Sequence, residues 1–382
     1  MTATLRQRKT DVLLYLSDRY LTGMALWLIA GGVSFWLLLR LRSMWRDRPR
    51  RIKWVHAGLS LWMTLAALTS VELYFALIYD QSDSFNMTNV SKKWFALHVE
   101  PQQMALVLSE KEGTRYRDDR PFPESLRPDQ KHLIFFGDSF TFAQGVNNVQ
   151  DRFSNRVRDV LERQTDGRVV VSNLADAGTD LRYVKHLVTL MLQKGHKIDT
   201  AVYVMCLNDI ETYHERHEKY YQELSKHSPR FFLFRETYFF NWMYFRLRQF
   251  TTSDVRGYYS FVKDYYGGGP WRLMQGGLDE LHKTCQSHGT DLRIVVFPFL
   301  HNLGPDYPFK DAHRLVVEYC ESREIPVLDL EPFLSPSASK GLTVNRFDAH
   351  PNELAHRLAA EAMLEKLLRD FTTNGNPSPD GS

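Results

Sequence analysis

The stretch Lys131 to Val146 reads KHLIFFGDSFTFAQGV. Its apolar run, Leu133-Ile134-Phe135-Phe136, has the length and β-lean makeup of a buried strand, and Gly137 stops it where the chain must turn sharply. Asp138 and Ser139 fall on that turn. A serine placed where a parallel strand hands over to a helix is exposed at the carboxyl edge of the sheet, where open α/β proteins build their sites. Alone, Gly-Asp-Ser is an ordinary strand-ending turn, so its meaning depends on partners downstream.

From Lys131 onward, apolar strands alternate with helical patterns, the signature of βαβ units and of a parallel sheet with helices on both faces. The expected strands are Leu133–Phe136, Val169–Leu174, Ala201–Cys206, Leu292–Phe297 and Pro326–Leu330. Helical periodicity covers Phe153–Gln164, Leu181–Gln193, Trp271–Ser287 and Asp311–Arg323. A final helix is expected after His350, with Pro351 in its first turn and Leu354, Leu358, Ala362 and Leu367 or Leu368 as its buried stripe.

Four short blocks then appear in order: Gly137-Asp138-Ser139; Asn173-Leu174-Ala175-Asp176-Ala177-Gly178; Cys206-Leu207-Asn208-Asp209; and Asp348-Ala349-His350-Pro351-Asn352. In this order they resemble the SGNH, or GDSL, hydrolases. The resemblance implies a three-layer α/β/α, flavodoxin-like parallel sheet whose strand ends bring Ser139, Gly178 and Asn208 together. It also implies chemistry on ester bonds. Ser139 would be the nucleophile, activated by His350 as base. A helix start disfavours the imidazolium that forms, so an anion must offset it, and Asp348 would do so while fixing the ring tautomer. The Ser139 and Gly178 backbone N–H groups with the Asn208 amide would form the oxyanion hole, where losing one donor costs on the order of 3 kcal/mol. Two departures stand out. Cys206 takes the usual glycine of the third block, and Asp348 precedes His350 by two residues instead of three, Phe347 holding the usual position. No cofactor or metal is expected; His214 and His217 beside Glu211 or Glu215 read as surface residues, not a ligand set.

Upstream the composition changes. The first 20 residues are polar and basic, and Leu21–Leu39 then runs without a charge for the length a helix needs to cross hydrocarbon. A basic loop, 40–54, with Arg40, Arg42, Arg46, Arg48, Arg50, Arg51 and Lys53, separates this span from a second at Val55–Tyr79. By the positive-inside bias the loop lies in the cytoplasm, against anionic lipid headgroups, which makes the chain a two-pass protein of a bacterial cytoplasmic membrane with its later domain on the periplasmic side. Glu72 inside the second span is costly there. It reads either as protonated or snorkelling beside Tyr74 and Tyr79, or as a pairing site for another membrane subunit.

Residues 80–130 read as a linker, and 131–370 as the hydrolase-like domain. Within that domain an insertion, 211–269, carries Phe231-Phe232-Leu233-Phe234 and a run from Tyr238 to Phe245 interleaved with Arg230, Arg235, Arg246 and Arg248, ending on Gly267-Gly268-Gly269. Such a mixture suits a membrane interface, the wall of an acyl-binding groove, or a helical subdomain with its own core. Residues 371–382 read as a disordered tail. His356 is expected to be structural.

The chain has 382 residues, a hydrophobic share of 43% and a net charge of only +3, which gives no reason to invoke nucleic acid. Its three cysteines make no disulfide framework. Taken together, the sequence points to a membrane-anchored serine esterase acting on acyl or acetyl esters, on a lipid or an acylated sugar. The alternatives are an acyltransferase that modifies an envelope polysaccharide or glycolipid, and a silent scaffold partner of a membrane acyltransferase.

Overall fold

A computed structural model describes residues 15–215, 222 and 226–372. Its chain divides into two compact units, one holding 15–81, 91–97 and 226–251, the other 82–90, 98–215, 222 and 252–372.

The first unit is built on helices Asp18–Met44 and Pro49–Leu77, both long and apolar enough to cross a membrane. Ser17 caps the first by accepting the Tyr20 N–H at 3.1 Å. Pro49 opens the second, where its missing donor costs nothing. Trp62 Nε1 donates to the Gly31 carbonyl (2.9 Å) and Trp27 Nε1 to Thr69 Oγ1 (2.8 Å), tying the pair together. The expected basic loop 40–54 is mostly helical: Arg40 and Arg42 end the first helix, and Arg50, Arg51 and Lys53 begin the second. Arginine and lysine are good helix formers, so charge alone does not interrupt a helix.

Helices Phe232–Glu236 and Phe239–Thr251, from the aromatic insertion, belong to this unit. Phe75 packs on Phe239 and Trp242, ring centroids 5.3 and 5.4 Å apart. The Glu72 carboxylate accepts the Tyr238 and Phe239 N–H groups, each at 2.8 Å. It therefore caps a helix start of its own chain, a role that neither sequence reading of Glu72, the protonated or snorkelling carboxyl or the pairing site, offers. A cavity of about 360 Å³ lies beside it, walled by Tyr20, Met24, Leu65, Leu68, Phe232 and Phe240.

The second unit is organised by five parallel strands: β5 (Lys131–Gly137), β6 (Val169–Asn173), β7 (Thr200–Cys206), β8 (Asp291–Phe297) and β9 (Val327–Asp329). Before them come β1 (Ser84–Phe85) and β2 (Thr88–Asn89), then β3 (Gln103–Val107) and β4 (Gly113–Arg117); after them come β10 (Thr343–Asn345) and β11 (Asp348–Pro351). The parallel order is β6-β5-β7-β8-β9, which is the flavodoxin-like 2-1-3-4-5 arrangement. Every residue of β7 is buried, as is all of β5 and β8 except the first, because helices cover both faces. Helix Phe153–Gln164 packs with Glu353–Ala362, and Leu181–Gln193 with Gly269–Ser287. The Gly267-Gly268-Gly269 run ends in this last helix, with Gly268 at its N-cap.

Four expectations are corrected here. Residues 80–130 are more than a linker, since they form β1–β2, helix Lys92–His98 and β3–β4, and carry the fully buried Arg117. Pro351 ends β11, and Asn352 caps the final helix by accepting the Ala355 N–H at 3.0 Å. The buried face of that helix is Ala355, His356, Ala359, Ala360 and Ala362, with Leu354 and Leu358 only half-buried, because close packing on a neighbouring helix selects small side chains. Phe371 belongs to a last turn, Arg369–Thr372, under the Arg293 guanidinium (5.1 Å), and the rest of the expected tail, 373–382, lies outside the described residues.

Candidate active site

Ser139 opens the four-residue helix Ser139–Phe142 directly after β5. Asp138 caps it, accepting the Phe140 N–H at 2.9 Å, while its other oxygen is buried without a partner. Burial pushes the Asp138 carboxyl up to about 6 despite the Phe140 N–H and the His350 ring nearby. Gly137 is required by close approach: a Cβ there would sit 2.6 Å from the Val204 carbonyl and 2.3 Å from Thr141 Oγ1. The helix ends on Ala143 in the left-handed region (φ 64°). Buried Arg117 holds the loop beyond, donating to the Ala143 (3.1 Å), Val146 (2.9 Å) and Asn147 (3.1 Å) carbonyls.

His350 reaches this serine from 211 positions away: its Nε2 lies 2.8 Å from Ser139 Oγ, and its Nδ1 lies 2.5 Å from Asp348 Oδ1. The unusual two-residue spacing has a physical answer. Asp348 and His350 are both on β11, where residues i and i+2 point to one face, so a strand does with two what a turn does with three. Asp348 Oδ1 also accepts the His350 N–H (3.2 Å), and Oδ2 accepts the Ser82 hydroxyl. Burial alone would raise this carboxyl, but the His350 ring and these hydrogen bonds hold it below its ordinary range. Asp348 and His350 are fully buried and Ser139 is 7% exposed, so the chain of groups works in a low-dielectric pocket.

Gly178 and Asn208 stand at the same carboxyl edge, after β6 and β7, the two neighbours of β5. Gly178 has φ 81°, a conformation that costs glycine little. The Thr179 hydroxyl donates to the Gly137 carbonyl at 2.9 Å, pinning the Gly178 loop to the serine turn. Asn173 Nδ2 donates to the Thr141 carbonyl (3.0 Å), a second tie between the same blocks. Asn208 is the second residue of the 3₁₀ segment Leu207–Tyr213, its Oδ1 buried and unpartnered. Among the described residues, neither Gly178 nor Asn208 hydrogen-bonds to the Ser139–His350–Asp348 chain. Cys206 is fully buried, and burial, followed by the nearby Asp138 and Asp209, pushes its thiol well above the ordinary range. It serves as core.

Several neighbours of the site carried no signal in the sequence. Ser82 and Gln144 are the main ones; Gln144 Nε2 donates to Ser84 Oγ (3.3 Å) and the Met87 carbonyl (3.4 Å) and lies 3.3 Å from His350 Nδ1. The Tyr259 ring packs against His301 (centroids 3.8 Å apart, tilted) and edge-on against Phe299 (5.1 Å), so the second half of the insertion packs into this unit. His356 is buried, accepts the Phe153 N–H at 3.4 Å, and is depressed by burial and by Arg152 to about 3. No group of acids, histidines and cysteines among the described residues could hold a metal; His214 stacks on Tyr265 at 4.2 Å, and His217 lies outside the described residues.

Residues 135–358 match the family described as GDSL-like Lipase/Acylhydrolase, more than half of the chain. No curated protein matches. Similar solved structures include a two-domain esterase active on acetylated mannans, 12% identical with a TM-score of 0.39, over 65% of this chain and 51% of that one. This chain thus spans about half of that protein's length. Others are the psychrotrophic esterase EstA of Pseudoalteromonas sp., 15% identical with a TM-score of 0.40 over 64% of this chain and 100% of that one, and an acetylxylan esterase from Geobacillus stearothermophilus, 15% identical with a TM-score of 0.39 over 62% and 93%.

Proposed function

Because the chain belongs to the GDSL-like lipase/acylhydrolase family, we propose that it is a membrane-anchored serine esterase that cleaves acyl or acetyl esters through an acyl-serine intermediate. The observation that carries this reading is the unbroken line Ser139 Oγ, His350 Nε2, His350 Nδ1, Asp348 Oδ1, with contacts of 2.8 and 2.5 Å. With Nδ1–H donated to the carboxylate, Nε2 is left to accept the Ser139 proton as Oγ attacks the ester carbonyl. The imidazolium then protonates the leaving alkoxide, and water, deprotonated by the same ring, releases the acid. The Ser139 and Gly178 N–H groups and the Asn208 side-chain amide are assigned to the oxyanion.

Two long apolar helices support the anchor, and the cations between Arg40 and Lys53 support a cytoplasmic turn with the esterase unit on the opposite side. The purified full-length chain should hydrolyse p-nitrophenyl acetate and take a fluorophosphonate label. Ser139→Ala and His350→Ala should each abolish both; equal rates in wild type and Ser139→Ala would dismiss the reading. Supplying an acetylatable polysaccharide tests transfer with the same intermediate: acylated polymer forming faster than free acid would make the protein an acyltransferase.

A further inference from the structure

The carboxylate of this triad, Asp348, has two oxygens, and only one of them faces the His350 ring. The other accepts the hydroxyl of Ser82, a residue 266 positions away and 1% exposed. Asn89 Nδ2 approaches Ser82 Oγ at 3.5 Å as a donor, so the single Ser82 proton is directed to Asp348. Ser82 is itself held in place: Asn345 Nδ2 donates to its carbonyl at 2.9 Å, and two residues on the Ser84 N–H donates to the Phe347 carbonyl at 3.2 Å. The segment therefore runs alongside the turn between β10 and β11 and grips both of its ends.

The β1–β2 hairpin continues this contact. Its turn residues Asn86 and Met87 both have positive φ, 47° and 67°, the pattern a two-residue hairpin turn demands. Met87 pays backbone strain there, and its carbonyl accepts from Gln144 while its sulfur accepts from the Tyr259 hydroxyl at 3.6 Å. A carboxylate gripped at one oxygen can swing about its Cβ–Cγ bond; one gripped at both has its plane fixed. Burial makes the second grip valuable, because a desolvated carboxylate oxygen without a donor is costly.

We propose that Ser82 is a positioning residue for the esterase reaction, holding Asp348 in the plane from which it orients His350. This rests on the triad reading above. Full-length protein in detergent, assayed with p-nitrophenyl acetate, tests it. Ser82→Ala should lower kcat about 10- to 100-fold with KM changed less than twofold, the scale expected when a catalytic group is displaced by a fraction of an ångström to an ångström. Ser82→Thr, which keeps the hydroxyl, should recover most of the loss. In an Asp348→Asn background Ser82→Ala should add less than a twofold effect, because its target is already gone. Should Ser82→Ala melt early, the fluorophosphonate labelling rate at 10 °C, normalised to the folded fraction, carries the same comparison. Wild-type kcat in Ser82→Ala, or a full additional loss on top of Asp348→Asn, overturns the assignment while leaving the triad standing. Undiminished turnover in Ser139→Ala overturns both.

Discussion

His350 Nε2 stands 2.8 Å from the hydroxyl oxygen of Ser139 although 211 positions separate them in the chain. The parallel sheet brings this about from one side, by ending β5 on Gly137 just before the serine. The β10–β11 hairpin brings it about from the other, by presenting Asp348 and His350 on one face of a strand. Neither partner is placed by its own local sequence alone.

Asp348→Asn should leave the fold intact and lower kcat about 10³- to 10⁴-fold, the scale seen when a triad aspartate becomes an amide. An amide nitrogen facing Nδ1 favours the tautomer with its proton on Nε2, which cannot accept the serine proton. Steady-state kinetics beside an unchanged thermal melt check this; a loss under tenfold would mean that Asp348 does not set the tautomer.

Gly137→Ala should cost about 1–3 kcal/mol of stability, typical of overpacking, and remove most activity. The added methyl would meet the Val204 carbonyl at 2.6 Å, and backbone on a buried strand yields poorly. Displacing β5 from β7 moves Ser139 off His350. Denaturant unfolding and ester turnover report the two losses together.

Glu211→Gln should make the protein more stable at alkaline pH. Burial, only partly offset by a Tyr258 hydrogen bond, pushes the Glu211 carboxyl from 4.5 up to about 8. Between those values the native state holds a proton that the unfolded chain has released, so stability declines as pH rises through that window and is highest below it. Melting temperatures of wild type and variant should agree near pH 5 and separate towards pH 8, with the glutamine form higher. Parallel curves would refute the assignment.

Glu72→Ala should expose the Tyr238 and Phe239 N–H groups that its carboxylate now accepts. Loss of such a cap costs about 0.5–2 kcal/mol, so exchange of these amides should quicken several-fold. Hydrogen–deuterium exchange by mass spectrometry in detergent reads this on peptides covering the start of helix Phe239–Thr251. Unchanged protection there would show that the carboxylate is not the cap.

What the sequence determined by itself was the alternation of elements and the identity of the serine and histidine blocks. The helices Phe153–Gln164 and Leu181–Gln193 form with the expected bounds, because amphipathic spacing, with an Asp180 cap in the second case, is a local property. The strands follow from unbroken apolar runs that only a sheet covered on both faces can hide. Tertiary structure decided the rest. It brought Asp348 to His350 along one strand, set Ser82 and Arg117 from an apparent linker against Asp348 and the loop after Phe142, and divided the aromatic insertion, with Phe239–Thr251 capped by Glu72 and Tyr259 packed against Phe299. The physical reason is common to all of these. Periodicity records which face of an element is apolar, whereas the partner of a buried carboxylate or guanidinium is chosen by packing between segments that are distant along the chain.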